Sequence, residues 1–135
     1  MFNSIDMATG GLRAQRTRMD VIAGNVLNVN TTRNAAGEAD PYRRRFAVLQ
    51  PTDANNPNRP GVSVNEIALD PTNFDERHEP NHPDADPVTG MVKYPNVDLG
   101  VEYVNMLEAT RAYEASVTLM QTTKSMFNSA LRLLA

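Results

Sequence analysis

The chain has 135 residues, a formal net charge of -3 and no cysteine. That length serves one domain. The acidic balance argues against non-specific nucleic-acid or anionic-membrane binding, which needs basic patches, and the missing thiols exclude disulfides, thiolate metal sites and a cysteine nucleophile.

From about Asn3 to Asn30 the sequence predicts one helix. Its stripe is Ile5, Ala8, Leu12, Gln15, Met19, Ile22, Val26 and Val29, with spacings of three and four. At 1.5 Å per residue it would be about 40 Å long. Asn3 or Ser4 suits the N-cap. Gly10, Gly11 and Gly24 each cost about 1 kcal/mol relative to alanine inside a helix, so alone in water this helix is marginal. Arg13, Arg16 and Arg18 lie off the stripe, where solvated charge belongs.

Residues 28–40 are turn-rich and polar, hence a loop. All nine prolines fall between Pro41 and Pro95. Within that span Tyr42 to Leu49 alternates weakly as a strand. Pro51 to Pro60 reads as a loop. Val62 to Leu69 has strand character, with its phase slipping between Val64 and Ile67 as at a bulge. Asp70 to Thr89 is polar and proline-bearing, which excludes a regular helix. Gly90 to Tyr94 suits one more short strand, ended by Pro95. Asp98 then caps a second helix to about Leu133, about 50 Å long. Its stripe is Leu99, Tyr103, Met106, Thr110, Tyr113, Val117, Met120, Lys124, Phe127, Leu131 and Leu134.

A 3.5-residue apolar period makes a narrow seam that needs a partner helix. The expected fold is therefore mainly α: two long terminal heptad helices packing as a coiled coil, around a proline-rich middle of loops and a few short β-strands. The expected division is 1–32, 33–97 and 98–135. Thr110 and Lys124 are polar seam members of the kind that set register or partner choice.

Chemistry-bearing groups are few. His78 and His82 have a metal-pair spacing for a helix, but Pro80 lies between them, and a solvated loop is the simpler reading. Asp84 and Asp86 start a calcium-loop pattern that Val88 leaves incomplete. No serine sits in a nucleophile elbow, and no glycine loop cradles phosphate. No cofactor, metal site or catalytic residue is expected. Arg43, Arg44 and Arg45 form the one dense charge run; on a strand they alternate faces, so they make no single patch. The N-terminus lacks the charged and apolar regions of a cleaved signal peptide, and no run of about 18 apolar residues suggests membrane insertion.

Three stretches, Arg18–Thr32, Asn81–Val97 and Asp98–Leu133, resemble the axial (rod and hook) proteins of the bacterial flagellum. The family-motif positions are Asn25, Asn28, Thr31, Tyr42, Arg111 and Tyr113. The Pro41-Tyr42-Arg43 step, after the insert at 33–40, is similar to one proximal-rod subtype. The chain departs from the common pattern at Leu27, Gly24 and Met91. The resemblance implies a structural subunit that passes the flagellar export apparatus unfolded, without a cleaved signal. It then polymerises with copies of itself and with other rod proteins in the periplasmic space, forming a shaft that transmits torque from motor to hook. Terminal helices would form the inner layer and the middle segment the outer part. On this reading Leu12, Met19, Ile22 and Val26 pack against Val117, Met120, Phe127 and Leu131, within and between subunits, and Met106 and Tyr113 are further packing positions. Asn25 and Asn28 bond backbone at the helix-to-loop turn, and Arg111 and Tyr113 make inter-helix or inter-subunit contacts. A soluble cytoplasmic coiled-coil adaptor or export chaperone is the competing class, and an enzyme working through His78 and His82 the third.

Overall fold

A computed structural model of the chain describes residues 2–52 and 61–134, with side chains for 5–52 and 61–133. The caps expected at Asn3 or Ser4, most of the Pro51–Pro60 loop and the seam position Leu134 lie outside the described side chains. The elements in chain order are α1 (Phe2–Leu27), β1 (Arg45–Pro51), β2 (Val62–Leu69), β3 (Asp75–His78), β4 (Met91–Tyr94) and α2 (Leu99–Leu134).

Helix α1 ends three residues before the expected Asn30. Asn28 stops it: its backbone N–H reaches the carbonyls of both Gly24 and Asn25 at 3.2 Å, and its side-chain Nδ2 donates to Gly24 O at 2.8 Å. The last orphan carbonyls are thus satisfied by the turn and not by another helical residue. At the other helix Asp98 is the cap, its Oδ1 accepting the amides of Gly100 (2.7 Å) and Val101 (3.2 Å).

The middle segment forms two separate two-stranded antiparallel sheets, β1–β2 and β3–β4. The expected strand at Tyr42–Leu49 begins only at Arg45, because residues 41–44 turn in to meet the helices. In the β1–β2 register Val48 faces Glu66 while Leu49 faces Val64, so Asn65 is the extra residue of a bulge. This is where the apolar phase of β2 slips. Strand β3 was not expected: Asp75-Glu76-Arg77-His78 is polar and exposed, yet it pairs with β4 from Asp75↔Tyr94 to His78↔Met91. The β3–β4 connection closes at Gly90. There φ is +66°, and a Cβ would come within 3.0 Å of the His78 ring, so glycine suits this turn.

α1 packs along α2 and also on both strands of the β1–β2 hairpin. The two helices run antiparallel: Asn25 meets Glu102, Met19 meets Thr110, Arg18 meets Glu108 and Gly11 meets Ser116. The buried set is small: Ala8, Ala14, Ile22, Val92, Tyr94, Pro95 and Ala109, with Asn25 and Glu102 among them.

Gly24 offers a direct check of helix propensity. A Cβ there would meet only the Tyr42 hydroxyl, at 3.9 Å, an ordinary contact. Gly24→Ala is expected to stabilise the chain by about 0.5–1 kcal/mol, read as a higher urea midpoint with unchanged slope.

Candidate functional site

The helix seam is centred on small side chains. Ala109 is fully buried, Ala8 and Ala14 nearly so, and a Cβ on Gly11 would stand 3.5 Å from Ser116 Oγ. The centre of contact on α2 therefore runs through Glu102, Ala109 and Ser116, spaced by seven, beside the large apolar stripe read from the sequence. Large stripe members flank this line. Leu12, Met19, Val26, Met106, Tyr113, Val117, Met120 and Phe127 are half-buried, and Ile22 is buried. Tyr103 and Leu99, at the start of the α2 stripe, are exposed, because Glu102 occupies the inward position at that level.

The antiparallel register also sorts the expected pairings. It sets Leu12 near the level of Val117 and Met19 at that of Thr110, whose hydroxyl lies 3.7 Å from Met19 Sδ. It carries Phe127 and Leu131 to the N-terminal end of α1 and past it, away from Leu12, Met19, Ile22 and Val26. α2 has 36 residues against 26 in α1, so its last turns overhang. Leu131 is accordingly 49% exposed.

α2 carries a second apolar face as well. Val101, Val104, Leu119, Met126 and Leu133 are all exposed, Met126 by 68% and Leu133 by 89%. At 100° per residue they fall within about a sixth of the helix circumference. Arg111, nine residues from Glu102 and so on the opposite side of the helix, is exposed beside this face.

Behind the seam lies a polar junction that ties the two helices to the middle segment. Asn25 is fully buried and its amide makes four hydrogen bonds. Nδ2 donates to Arg45 O (2.7 Å) and Glu102 Oε2 (3.0 Å). Oδ1 accepts from Arg45 N and from the Tyr42 hydroxyl, each at 3.0 Å. Asn25 thus pairs with the backbone of Arg45 as a neighbouring strand residue would, using a side chain in place of a main chain. The expected backbone bond is present, but it reaches the start of β1 and not the turn after α1; Asn28 serves that turn. Thr31 closes it: its hydroxyl donates to Asn28 Oδ1 (3.2 Å) and its carbonyl accepts the Tyr42 N–H (3.0 Å).

Glu102, also fully buried, faces Arg44: Oε1 accepts from Nε at 2.8 Å and from Nη2 at 2.7 Å. Arg44 Nη1 reaches Asp70 Oδ2 at 3.2 Å, and Arg44 N donates to Asn96 Oδ1. Asn96 in turn donates to the Thr72 hydroxyl at 2.7 Å. Arg43 extends the network, donating to the carbonyls of Asp70 and Thr72 with its guanidinium 4.3 Å over the Phe74 ring. The arginine run is thus divided among three tasks. Burial, opposed by the Arg45 charge and reinforced by Glu102, raises the Tyr42 hydroxyl above its ordinary value. Glu102, Asp70 and Asn96 escaped the sequence reading, and Arg44 entered it only as a member of the arginine run; the available signal was a glutamate in step with Ala109 and Ser116.

His78 lies exposed on β3. His82 Nδ1 accepts the Asp84 amide in a loop that folds back on residues 31–34. There Asp84, its side chain 6% exposed, takes the Thr32 hydroxyl at 2.8 Å and Arg33 Nε at 2.7 Å. Among the described residues no three His, Asp or Glu side chains are placed to hold a metal ion. Asp84 and Asp86 accept hydrogen bonds within the chain, Asp86 from the amides of Val88 and Thr89.

Three aspartates sit below their ordinary value. Asp70 is lowered by the Thr72 backbone amide, then its hydroxyl, then Arg44, against burial. Burial raises Asp84, but Thr32, Arg33 and His82 outweigh it. Asp86 is lowered by the Val88 and Thr89 amides. A carboxyl lowered by folding stabilises the fold above its unfolded value, near 3.8, and loses that contribution as pH falls through the folded value. Stability attributable to these groups should hold from pH 7 to about pH 4 and decline below it, read from urea midpoints across that range. Removing the junction's centre has a larger effect. Asn25→Ala leaves Glu102, Tyr42 and the Arg45 backbone short of partners, and should cost about 3–5 kcal/mol in the same assay.

Residues 5–33 match the family described as flagella basal body rod protein, and residues 88–133 match the flagellar basal body rod FlgEFG protein C-terminal family. Flagellar basal-body rod protein FlgC of Borreliella burgdorferi is 40% identical, covering 99% of this chain and 97% of its own. The FlgC proteins of Bacillus subtilis and Escherichia coli O6:H1 are 37% and 35% identical, each covering 98% of this chain and 97% of their own. Both helices, the junction between them and the middle they enclose thus lie within one shared sequence, and the chain belongs to the FlgC family of flagellar basal-body rod proteins.

Proposed function

We propose that the chain is a structural subunit of the flagellar basal-body rod that polymerises through its terminal helices, in coiled-coil fashion, into the proximal part of a torque-bearing shaft. The observation that carries this reading is the second apolar face of α2: five large side chains lie exposed along one line, and the last turns of α2 extend past α1. Contiguous exposed apolar surface of this kind marks a protein interface. The total accessible surface, 9421 Å² for 14.9 kDa, points the same way, since a compact monomer of that mass exposes about 7,000 Å².

In this proposal residues 1–32 and 98–135 form the inner layer and 33–97 the outer part. Leu12, Met19, Ile22, Val26, Met106, Tyr113, Val117 and Met120 pack across and beside the seam. Phe127 and Leu131, which overhang α1, are assigned to contacts between subunits, as is Arg111. Partners are copies of the chain and other rod proteins, reached after passage through the export apparatus to the periplasmic space. Binding energy comes from burial: covering five such side chains contributes roughly 7–15 kcal/mol before entropy losses. No enzymatic role is proposed.

The test separates surface from fold. Leu119→Asp and Met126→Asp change exposed positions, so the purified chain should keep its helical content and its urea midpoint within about 0.5 kcal/mol. In cells each should abolish incorporation into detergent-purified hook–basal bodies and halt swimming; normal motility of both variants would refute the assembly face. Wild-type chain found only in the soluble fraction would instead favour a cytoplasmic adaptor or export chaperone.

A further inference from the structure

We infer that the turn of the β3–β4 hairpin is an assembly knob, whose Val88 enters the groove that α1 and β1 form on the next copy of the chain. The contact rests on the rod role proposed above, and it names two of the surfaces through which copies meet.

Val88 is the most exposed large apolar side chain among the described residues, at 90%. A lone exposed valine on a loose loop is ordinary. Here the turn is held on both sides. Asp86 Oδ1 accepts the amides of Val88 (2.8 Å) and Thr89 (3.3 Å). The Gly90 amide donates to Asp86 O at 2.8 Å, and the Asp86 amide to Met91 O at 3.0 Å. Pro87 fixes its own φ, and Gly90 supplies the positive φ that closes the turn. The valine is therefore presented in one place, with little left to order on binding, and preorganisation of this kind raises the yield of a small contact. The hairpin has no such contact inside its own subunit, because β3 and β4 pack on each other and on no other helix or strand.

The complementary surface lies at the other sheet. A groove of about 310 Å³ runs between α1 and β1, with Val21, Ile22, Phe46, Ala47 and Leu49 in its walls. Phe46 and Leu49, the largest apolar side chains of β1, are left exposed there. No residue from 79 to 94 lines the groove, so Val88 does not fill that of its own chain. Charge favours the same pairing. Residues 79–91 carry Glu79, Asp84 and Asp86 and no lysine or arginine. The groove is edged by Arg18, Arg44 and Arg45. Arg18 and Arg44 are already paired with carboxylates. Arg45 lies over the Tyr42 ring at 5.4 Å and, like Asp86, is in no ion pair among the described residues. An acidic turn is drawn to a basic rim and repelled by a second acidic turn, so charge selects knob-to-groove contact over knob-to-knob. Knob and groove are different patches of one chain. A contact of this heterologous kind leaves a free knob and a free groove at its ends, and so propagates as a helix where an isologous contact would stop at a dimer.

The chain has no cysteine, so a single introduced disulfide reports the contact. Val88→Cys and Leu49→Cys are placed together in one full-length chain, expressed in cells and mildly oxidised. Detergent-purified hook–basal bodies are then run on a non-reducing gel. Dimers and higher multimers of the chain are expected from the double variant, and monomer from each single variant, since a disulfide requires Cα atoms within about 7 Å. A second measurement counts copies of the chain per hook–basal body by mass spectrometry. Val88→Asp should lower that number about tenfold or more, whereas Val88→Leu should leave it within about twofold of wild type; neither touches a buried position. Three results would overturn the inference. One is a double variant present in the basal bodies as monomer alone. Another is a dimer from Val88→Cys by itself, which would show like turns meeting. The third is full incorporation of Val88→Asp. Absence of the wild-type chain from hook–basal bodies would instead refute the rod role, and this contact with it.

Discussion

The rest of the structure hangs on one constraint: a carboxylate sits in the helix seam. Burying Glu102 is tolerable only with a cation and oriented donors in contact. Arg44 supplies the charge, and its position then fixes where the chain must pass after the N-terminal helix. Residues 41–44 turn inward, β1 starts at Arg45, and Asn25 meets the Arg45 main chain as a surrogate strand neighbour. Through Asp70 and Asn96 the same guanidinium gathers the end of β2 and the approach to α2. One interaction therefore specifies the relative placement of both helices and the first hairpin, which apolar stripes alone leave free to slide.

The seam's small centre has the opposite effect on the large side chains. Because Ala109, Ser116, Gly11 and Ala14 allow close approach of the two backbones, the bulky stripe residues flank the contact and are only half covered. In a compact globular protein such positions would be filled in by further elements. Here the middle segment covers the Asn25–Glu102 end of the helix pair, its β1–β2 hairpin runs along α1 as far as Gly10 and Met7, and the far end of α2 projects beyond α1. A rod protein has a use for this: surface left open in one subunit is surface available to the next, and mass action then favours the assembled state.

Much of this was legible in sequence because helical periodicity and caps are local. Asp98 as the α2 cap, the extents of both helices within three residues, and β2 with its bulge all follow from spacing and side-chain chemistry within a few residues. β3 was not legible: Asp75 to His78 has no apolar alternation, and it is a strand because β4 lies beside it, a non-local cause. The polar junction failed to show for a related reason. Glu102 reads as an ordinary charge near a helix start, where an acidic group suits the helix dipole. Only the three-dimensional meeting with Arg44, 58 residues away, reveals that it faces inward. The heptad stripe gave the correct side of α2 but placed its centre one residue late, since the pattern weights large side chains and the packing was decided by small ones.

Apolar and polar contacts then divide the work of a subunit that must be both placed and loaded. Burial of apolar area supplies strength but little direction, as it depends on area and not on angle. Charge-assisted hydrogen bonds supply direction, because Arg44, Asn25 and Glu102 meet at one geometry and lose most of their benefit when displaced. In this chain the directional contacts are internal, joining helix to helix and helix to hairpin, while the non-directional face of α2 is external. On the proposed assembly face, a subunit arranged this way would keep its own shape fixed by the junction and meet its neighbours through a surface that tolerates small changes of angle. That combination suits a shaft whose units must remain rigid while fitting beside related, non-identical proteins.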